Sequence, residues 1–131
     1  MTILLCDDHP LFCQAVMAIL ERERLIEVVG KVGNGKEAIQ FVEQLKPDIV
    51  LMDLEMPVVD GFEATRRIKA AHPDIRILIM TFRNDEEAVL QSLIAGASGY
   101  IVKGFRPAEL VNAIKTVGAG EQYLSVQAAT V

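Results

Sequence analysis

Five short aliphatic runs alternate without exception with five segments whose apolar residues recur at helical spacing, and that alternation admits few architectures. The runs are Ile3–Cys6, Val28–Val32, Ile49–Met52, Ile77–Met80 and Tyr100–Val102. They are nearly continuous, the pattern of strands buried on both faces. In the first intervening segment Leu11, Ala15 and Ile19, flanked by Phe12, Val16 and Leu20, predict a broad buried stripe. Ala38, Phe41, Val42 and Leu45 mark the second, and Ala64, Ile68 and Ala71 the third. Leu90, Leu93, Ile94 and Ala97 mark the fourth, and Leu110, Ile114 and Val117 the fifth. Pro10 and Pro107 stand where a first helical turn accepts proline. Gly33-Asn34-Gly35 offers a turn and a cap, Pro47, Pro57 and Pro73 fall in connections, and Gly96 and Gly118 sit where helices stop.

Strict strand–helix alternation implies parallel strands joined by right-handed crossovers. The expected fold is α/β: a doubly wound, five-stranded parallel sheet with five helices, in the flavodoxin-like order 2-1-3-4-5. A chain of 131 residues is one domain of ordinary size, and only residues 121–131 lose the pattern. No apolar run approaches the roughly 18 residues of a membrane span, and Ile3-Leu4-Leu5 is too short for an export signal. A cytoplasmic, soluble protein is expected, with Cys6 and Cys13 as buried free thiols. The net charge of −5 argues against nucleic-acid binding by this segment, and Arg66, Arg67 and Lys69 read as a solvated helix face. His72, before Pro73, reads as a helix end, and His9 as a loop residue near the acids.

In such a sheet, ligands bind beyond the carboxyl ends of the strands, where the strand order reverses. Asp7 and Asp8 follow the first strand directly and Asp53 follows the third. Two unit charges about 4 Å apart repel by roughly 4 kcal/mol at an effective dielectric of 20, so three carboxylates there call for a raised pKa or a divalent cation. An all-oxygen set suits Mg²⁺. Thr81 ends the fourth strand and Lys103 follows the fifth, adding a hydroxyl and an ammonium to the same rim. Singly each has a plain reading: Asp8 as a cap for the helix beginning near Pro10, Thr81 and Lys103 as surface residues. Together they can accept a phosphoryl group: a carboxylate nucleophile, a metal, a hydrogen-bond donor and a cation.

With these residues in place, the sequence resembles the receiver domain of two-component response regulators, a CheY-like fold. The matching segments are Cys6-Asp7-Asp8-His9-Pro10, Asp48 through Pro57, Asp60-Gly61, Met80-Thr81 and Tyr100-Ile101-Val102-Lys103. The resemblance implies that a sensor histidine kinase phosphorylates Asp53. It implies Mg²⁺ held directly by Asp8, Asp53 and the backbone carbonyl of Glu55, and mainly through water by Asp7. Lys103 and Thr81 would contact the phosphoryl group, with Thr81 and Tyr100 as the switch pair, Tyr100 rotating inward. Glu55, Phe82 and Arg83 are candidate rate-tuning positions. The resemblance also implies a phosphoryl acceptor, not an enzyme in the ordinary sense, with slow self-dephosphorylation at most.

Ala95 through Tyr100 and Gly118 through Ser125 resemble the NarL/FixJ group, whose members carry a LuxR-type helix-turn-helix DNA-binding domain after this point. The expected division is a receiver over 1–120 and, over 121–131, the start of a linker to an output domain that lies outside this sequence. The implied whole is a transcription regulator that dimerises on phosphorylation, through either the fourth helix, fifth strand and fifth helix or the first and fifth helices. A stand-alone receiver, in a phosphorelay or working through protein contacts, is the alternative. Two residues depart from the commoner receiver pattern. Gly104 replaces the proline that often follows the lysine, and bulky Phe82 follows the threonine, where it could slow water or small phosphodonors. A haloacid-dehalogenase-like phosphatase would need a second aspartate where Glu55 stands, plus a cap domain. A flavodoxin-like cofactor binder would need a glycine- and hydroxyl-rich loop where the acids are.

Overall fold

The computed structural model describes residues 1–125; the last six residues of the expected linker lie outside the described residues. The chain runs β1 (Thr2–Cys6), α1 (Pro10–Leu20), β2 (Glu27–Val32), α2 (Gly35–Leu45), β3 (Ile49–Met52), α3 (Gly61–Ala71), β4 (Arg76–Thr81), α4 (Glu86–Ala95), β5 (Gly99–Val102), α5 (Pro107–Gly118) and β6 (Tyr123–Leu124). All strand pairs are parallel, in the order β2-β1-β3-β4-β5-β6. The expected sheet gains one strand. Residues 123–124 were expected to lie beyond the pattern, yet they add a short edge to β5, with Gly99 opposite Tyr123 and Tyr100 opposite Leu124. Two residues give too short a run for periodicity to register.

The continuous apolar runs bury both faces. Leu4, Cys6, Val50, Met52, Ile77 and Ile79 point to α2, α3 and α4, meeting Ala38, Val42, Ala64, Ile68, Ala88 and Val89. Their neighbours Ile3, Leu5, Ile49, Leu51, Leu78 and Met80 point to α1 and α5, meeting Cys13, Val16, Leu20, Leu110, Ala113, Ile114 and Val117. The caps follow local chemistry. Asn34, Asp60 and Asp85 accept hydrogen bonds from the amides of Glu37, Glu63 and Ala88 at 2.8, 2.9 and 3.2 Å. Proline opens α1 and α5, and a left-handed Gly96 (φ +110°) closes α4.

Several stripe expectations are corrected. On α1 the buried residues are Cys13, Val16 and Leu20, while Leu11 is 80% exposed. On α4, Ala88, Val89 and Ser92 face inward, and Leu90 and Ile94 face solvent, Ile94 at 84%. Both helices carry apolar residues on more than one face, so small residues decide which side packs. Leu45 and Ala71 are also exposed. Asp8 does not cap α1; His9 occupies that position and makes no side-chain capping bond.

Arg66 and Arg67 pair with Glu63 on the exposed face of α3, while Lys69 donates to the carbonyl of Ile75 at 2.9 Å. Val58, in the β3–α3 loop, adopts φ +69°, a left-handed conformation costly for an exposed β-branched residue. Val58→Gly is therefore expected to stabilise the fold by about 1 kcal/mol, the strain relieved exceeding glycine's added chain entropy. Urea denaturation reads this directly, and equal or lower stability would show that the loop carries no strain there.

Candidate phosphoryl-acceptor and metal site

The hydrogen-bond ladder continues one rung past each strand and thereby positions the acids. Asp7 donates its amide to the carbonyl of Val32 (3.0 Å), Asp53 to Cys6 (2.9 Å), and Lys103 to Thr81 (2.7 Å). These residues rise at the carboxyl end of the sheet, at the β1/β3 reversal, where the fold opens a crevice. Asp7, Asp53, Thr81 and Lys103 are buried, while Asp8 and Glu55 are exposed at the rim.

Lys103 Nζ lies 2.7 Å from Asp7 Oδ2 and 3.3 Å from Asp53 Oδ2, and its side chain is almost wholly enclosed. Asp53 Oδ1 accepts the amide of Glu55 at 3.3 Å. Burial raises the Asp53 carboxyl above its ordinary pKa; Lys103 pulls it down, and Asp7 pushes it up. Burial likewise raises the Cys6 and Cys13 thiols, with Asp7 adding to the effect, so both are protonated, buried and free. Four residues converge: one donor atom each from Asp7, Asp8, His9 and Asp53 lies within 4.8 Å of the others. Asp7 Oδ2 is buried and, although Lys103 is close, accepts no hydrogen bond of acceptable angle. A buried, incompletely satisfied carboxylate oxygen facing two more carboxylates fits a hard dication such as Mg²⁺.

The other expected residues fall around this centre. Thr81 Oγ1 accepts the amide of Arg83 at 3.3 Å. Tyr100 is fully buried and already turned inward, its hydroxyl donating to the carbonyl of Arg83 at 2.7 Å. The Arg83 guanidinium engages both oxygens of Asp85 at 3.0 and 2.9 Å and lies over Phe62, so it points toward the start of α4. Phe82 is 70% exposed, with its ring centre 5.3 Å from Lys103 Nζ.

Sequence reasoning missed two contributors. Phe12 was placed in a helix stripe, but its ring centre is 4.2 Å from Lys103 Nζ and Phe105 packs edge-on against it at 5.9 Å. A cation over an aromatic face is stabilised where water is excluded. The histidines, read as lacking partners, both have them. His9 Nδ1 is 3.0 Å from Asp7 Oδ1 and 3.3 Å from Asp8 Oδ1; His72 Nε2 is 2.7 Å from Glu43 Oε1. The Asp-Asp-His-Pro run held the clue for His9, because a residue before proline is kept extended beside the acids.

Comparison with known proteins agrees with this geometry. The family model described as response regulator receiver domain matches residues 3–115. The response regulator GacA of Pseudomonas viridiflava is 40% identical over 127 residues, covering 97% of this chain and 59% of that protein. The nitrate/nitrite response regulator protein NarL of Escherichia coli K12 is 38% identical over 124 residues, covering 95% of this chain and 57% of that protein. The chain thus spans under two thirds of the length of these relatives. A two-component response regulator of the LuxR family from Aurantimonas sp. SI85-9A1 superposes with a TM-score of 0.94 at 39% identity, covering 98% of this chain and 92% of that one. No helix among the described residues is long and apolar enough to cross a membrane. The chain belongs to the response-regulator receiver family and, within it, to the NarL/FixJ type.

Proposed function

We propose that Asp53 accepts a phosphoryl group from the phosphohistidine of a sensor kinase, with Mg²⁺ bound by Asp8, Asp53 and the Glu55 carbonyl and assisted by Asp7. The carrying observation is the buried Asp53 carboxylate, 3.3 Å from an enclosed Lys103 and beside two further acids. In the transfer the P–N bond of the donor breaks and a P–O bond to the Asp53 carboxylate forms. The dication supplies charge neutralisation for the phosphoryl oxygens. Lys103, already within reach of Asp53 Oδ2, compensates the rest. The ammonium is held there by Phe12 and by the carboxylate of Asp7.

A phosphoryl group adds about −1.5 to −2 charges and three strong acceptor oxygens. Thr81 Oγ1 would donate to them, weakening its present bond from the Arg83 amide. Arg83 in turn holds Tyr100 through its carbonyl and the α4 cap through Asp85. This short chain of contacts gives the crevice a route to α4 and β5. On this reading the output is dimerisation of a DNA-binding transcription regulator. The DNA-binding part lies beyond residues 1–120, and 121–131 begin the linker to it.

Sedimentation in Mg²⁺ and beryllofluoride, a phosphoryl mimic, tests the coupling. The protein is expected to shift toward dimer, and Asp53→Asn is not. Tyr100→Ala is expected to bind the mimic yet shift less. A full dimer shift in Tyr100→Ala would remove Tyr100 from the switch.

A further inference from the structure

His9 presents a nitrogen donor to the three carboxylates, and its placement follows from the chain. Its amide donates to Asp7 Oδ1 at 2.8 Å, and Pro10 keeps His9 extended, at φ −98° and ψ +103°. The ring is thereby turned back over the acids. Nδ1 stands 3.0 Å from Asp7 Oδ1, 3.3 Å from Asp8 Oδ1 and 3.8 Å from Asp53 Oδ2. Adjacent ligands of an octahedral ion with bonds of about 2.1 Å are about 3.0 Å apart. The first two separations therefore match the edges of one coordination shell. A second observation points to a cation at the same place: Asp7 Oδ2, on a wholly buried side chain, accepts no hydrogen bond.

We propose that His9 Nδ1 is a direct ligand of the cation in this crevice. The site is then a mixed nitrogen–oxygen site, matched to a borderline first-row dication of the Co²⁺ or Ni²⁺ kind as well as to Mg²⁺. Imidazole suits such ions, whereas Mg²⁺ takes oxygen. The inference rests on the acidic crevice being the metal site of the proposed phosphoryl acceptor, and it adds His9 and a metal preference to that site.

The test compares wild type, His9→Ala and His9→Asn by titration calorimetry with Mg²⁺ alone and Co²⁺ alone at pH 8. His9 makes no side-chain cap, so neither variant removes a folding contact of α1. Co²⁺ affinity is expected to fall roughly tenfold or more in both variants, with Mg²⁺ affinity changing less than about twofold. The visible absorption of the Co²⁺ form should move to longer wavelength, as oxygen replaces nitrogen and the ligand field weakens. Unchanged Co²⁺ affinity and spectrum, or equal losses for both ions, would overturn the role of His9 while leaving the acidic metal site standing. Failure of wild type to bind either ion would overturn the metal site itself.

Discussion

Lys103→Met is expected to lower the stability of the metal-free protein by about 3 kcal/mol, with much of the loss recovered in Mg²⁺. The ammonium is the counter-charge to two enclosed carboxylates, at 2.7 Å from Asp7 and 3.3 Å from Asp53. A methionine fills similar space but leaves both acids facing each other in a poorly hydrated crevice. Removing one partner of a buried charged set costs far more than the set contributes when intact. The deficit should also depend on pH. Burial already raises the Asp53 carboxyl, and Lys103 is the main influence pulling it down, so its loss raises that carboxyl further. A group raised in the folded state favours folding below its unfolded pKa and loses that contribution as pH rises through the folded value. The Lys103→Met deficit is thus smaller near pH 4 than near pH 7. Urea denaturation in a chelator at both pH values, repeated with Mg²⁺, checks this. A deficit independent of pH and of Mg²⁺ would mean that Lys103 does not balance these acids.

Gly61→Ala is expected to cost about 3 kcal/mol, on the order of 10 °C in the melting midpoint, and to impair phosphoryl uptake as well. A Cβ at Gly61 would stand 2.1 Å from the carbonyl oxygen of Asp53 and 2.7 Å from the Leu54 Cα. Both are backbone atoms, so no rotamer change relieves the clash, and the Asp53 peptide itself must move. Gly61 also donates its amide to Leu54 at 2.9 Å, tying the start of α3 to the loop that carries the acceptor. Gly104→Ala is the comparison. A Cβ there meets nothing within 4 Å, but φ is +103°, so only backbone strain of about 1–2 kcal/mol is expected. Thermal melts of the two variants separate steric from conformational cost. A smaller loss at Gly61 than at Gly104 would contradict the close approach of α3 to the acceptor.

The sheet was legible because its evidence is local. Ile49–Met52 is a strand in sequence and in structure with the same limits, and Asn34 caps α2 as its Gly-Asn-Gly setting implies. The converging acids were legible for a similar reason, since residues just past strand ends share one edge in this topology. Helix rotation was less so. Ile94 and Leu90 look like core by spacing, but Ala88 and Ser92 let α4 approach the sheet closely and leave the larger residues outside. Long-range side-chain placement left no periodic trace. Nothing in spacing puts Phe12 over Lys103, 91 positions later, or ties Tyr100 to the carbonyl of Arg83. The short β6 likewise gains its strand character only from β5 beside it.

The most direct test of the account is intact-mass measurement after incubation with acetyl phosphate and Mg²⁺, on the protein and on Asp53→Asn. One added phosphoryl group on the protein, lost in a chelator and absent from Asp53→Asn, is the predicted result. Addition that persists in Asp53→Asn would contradict the assignment of the acceptor. No addition in Mg²⁺, even with a phosphorylated sensor kinase supplied as donor, would contradict the reading of this crevice as a phosphoryl switch.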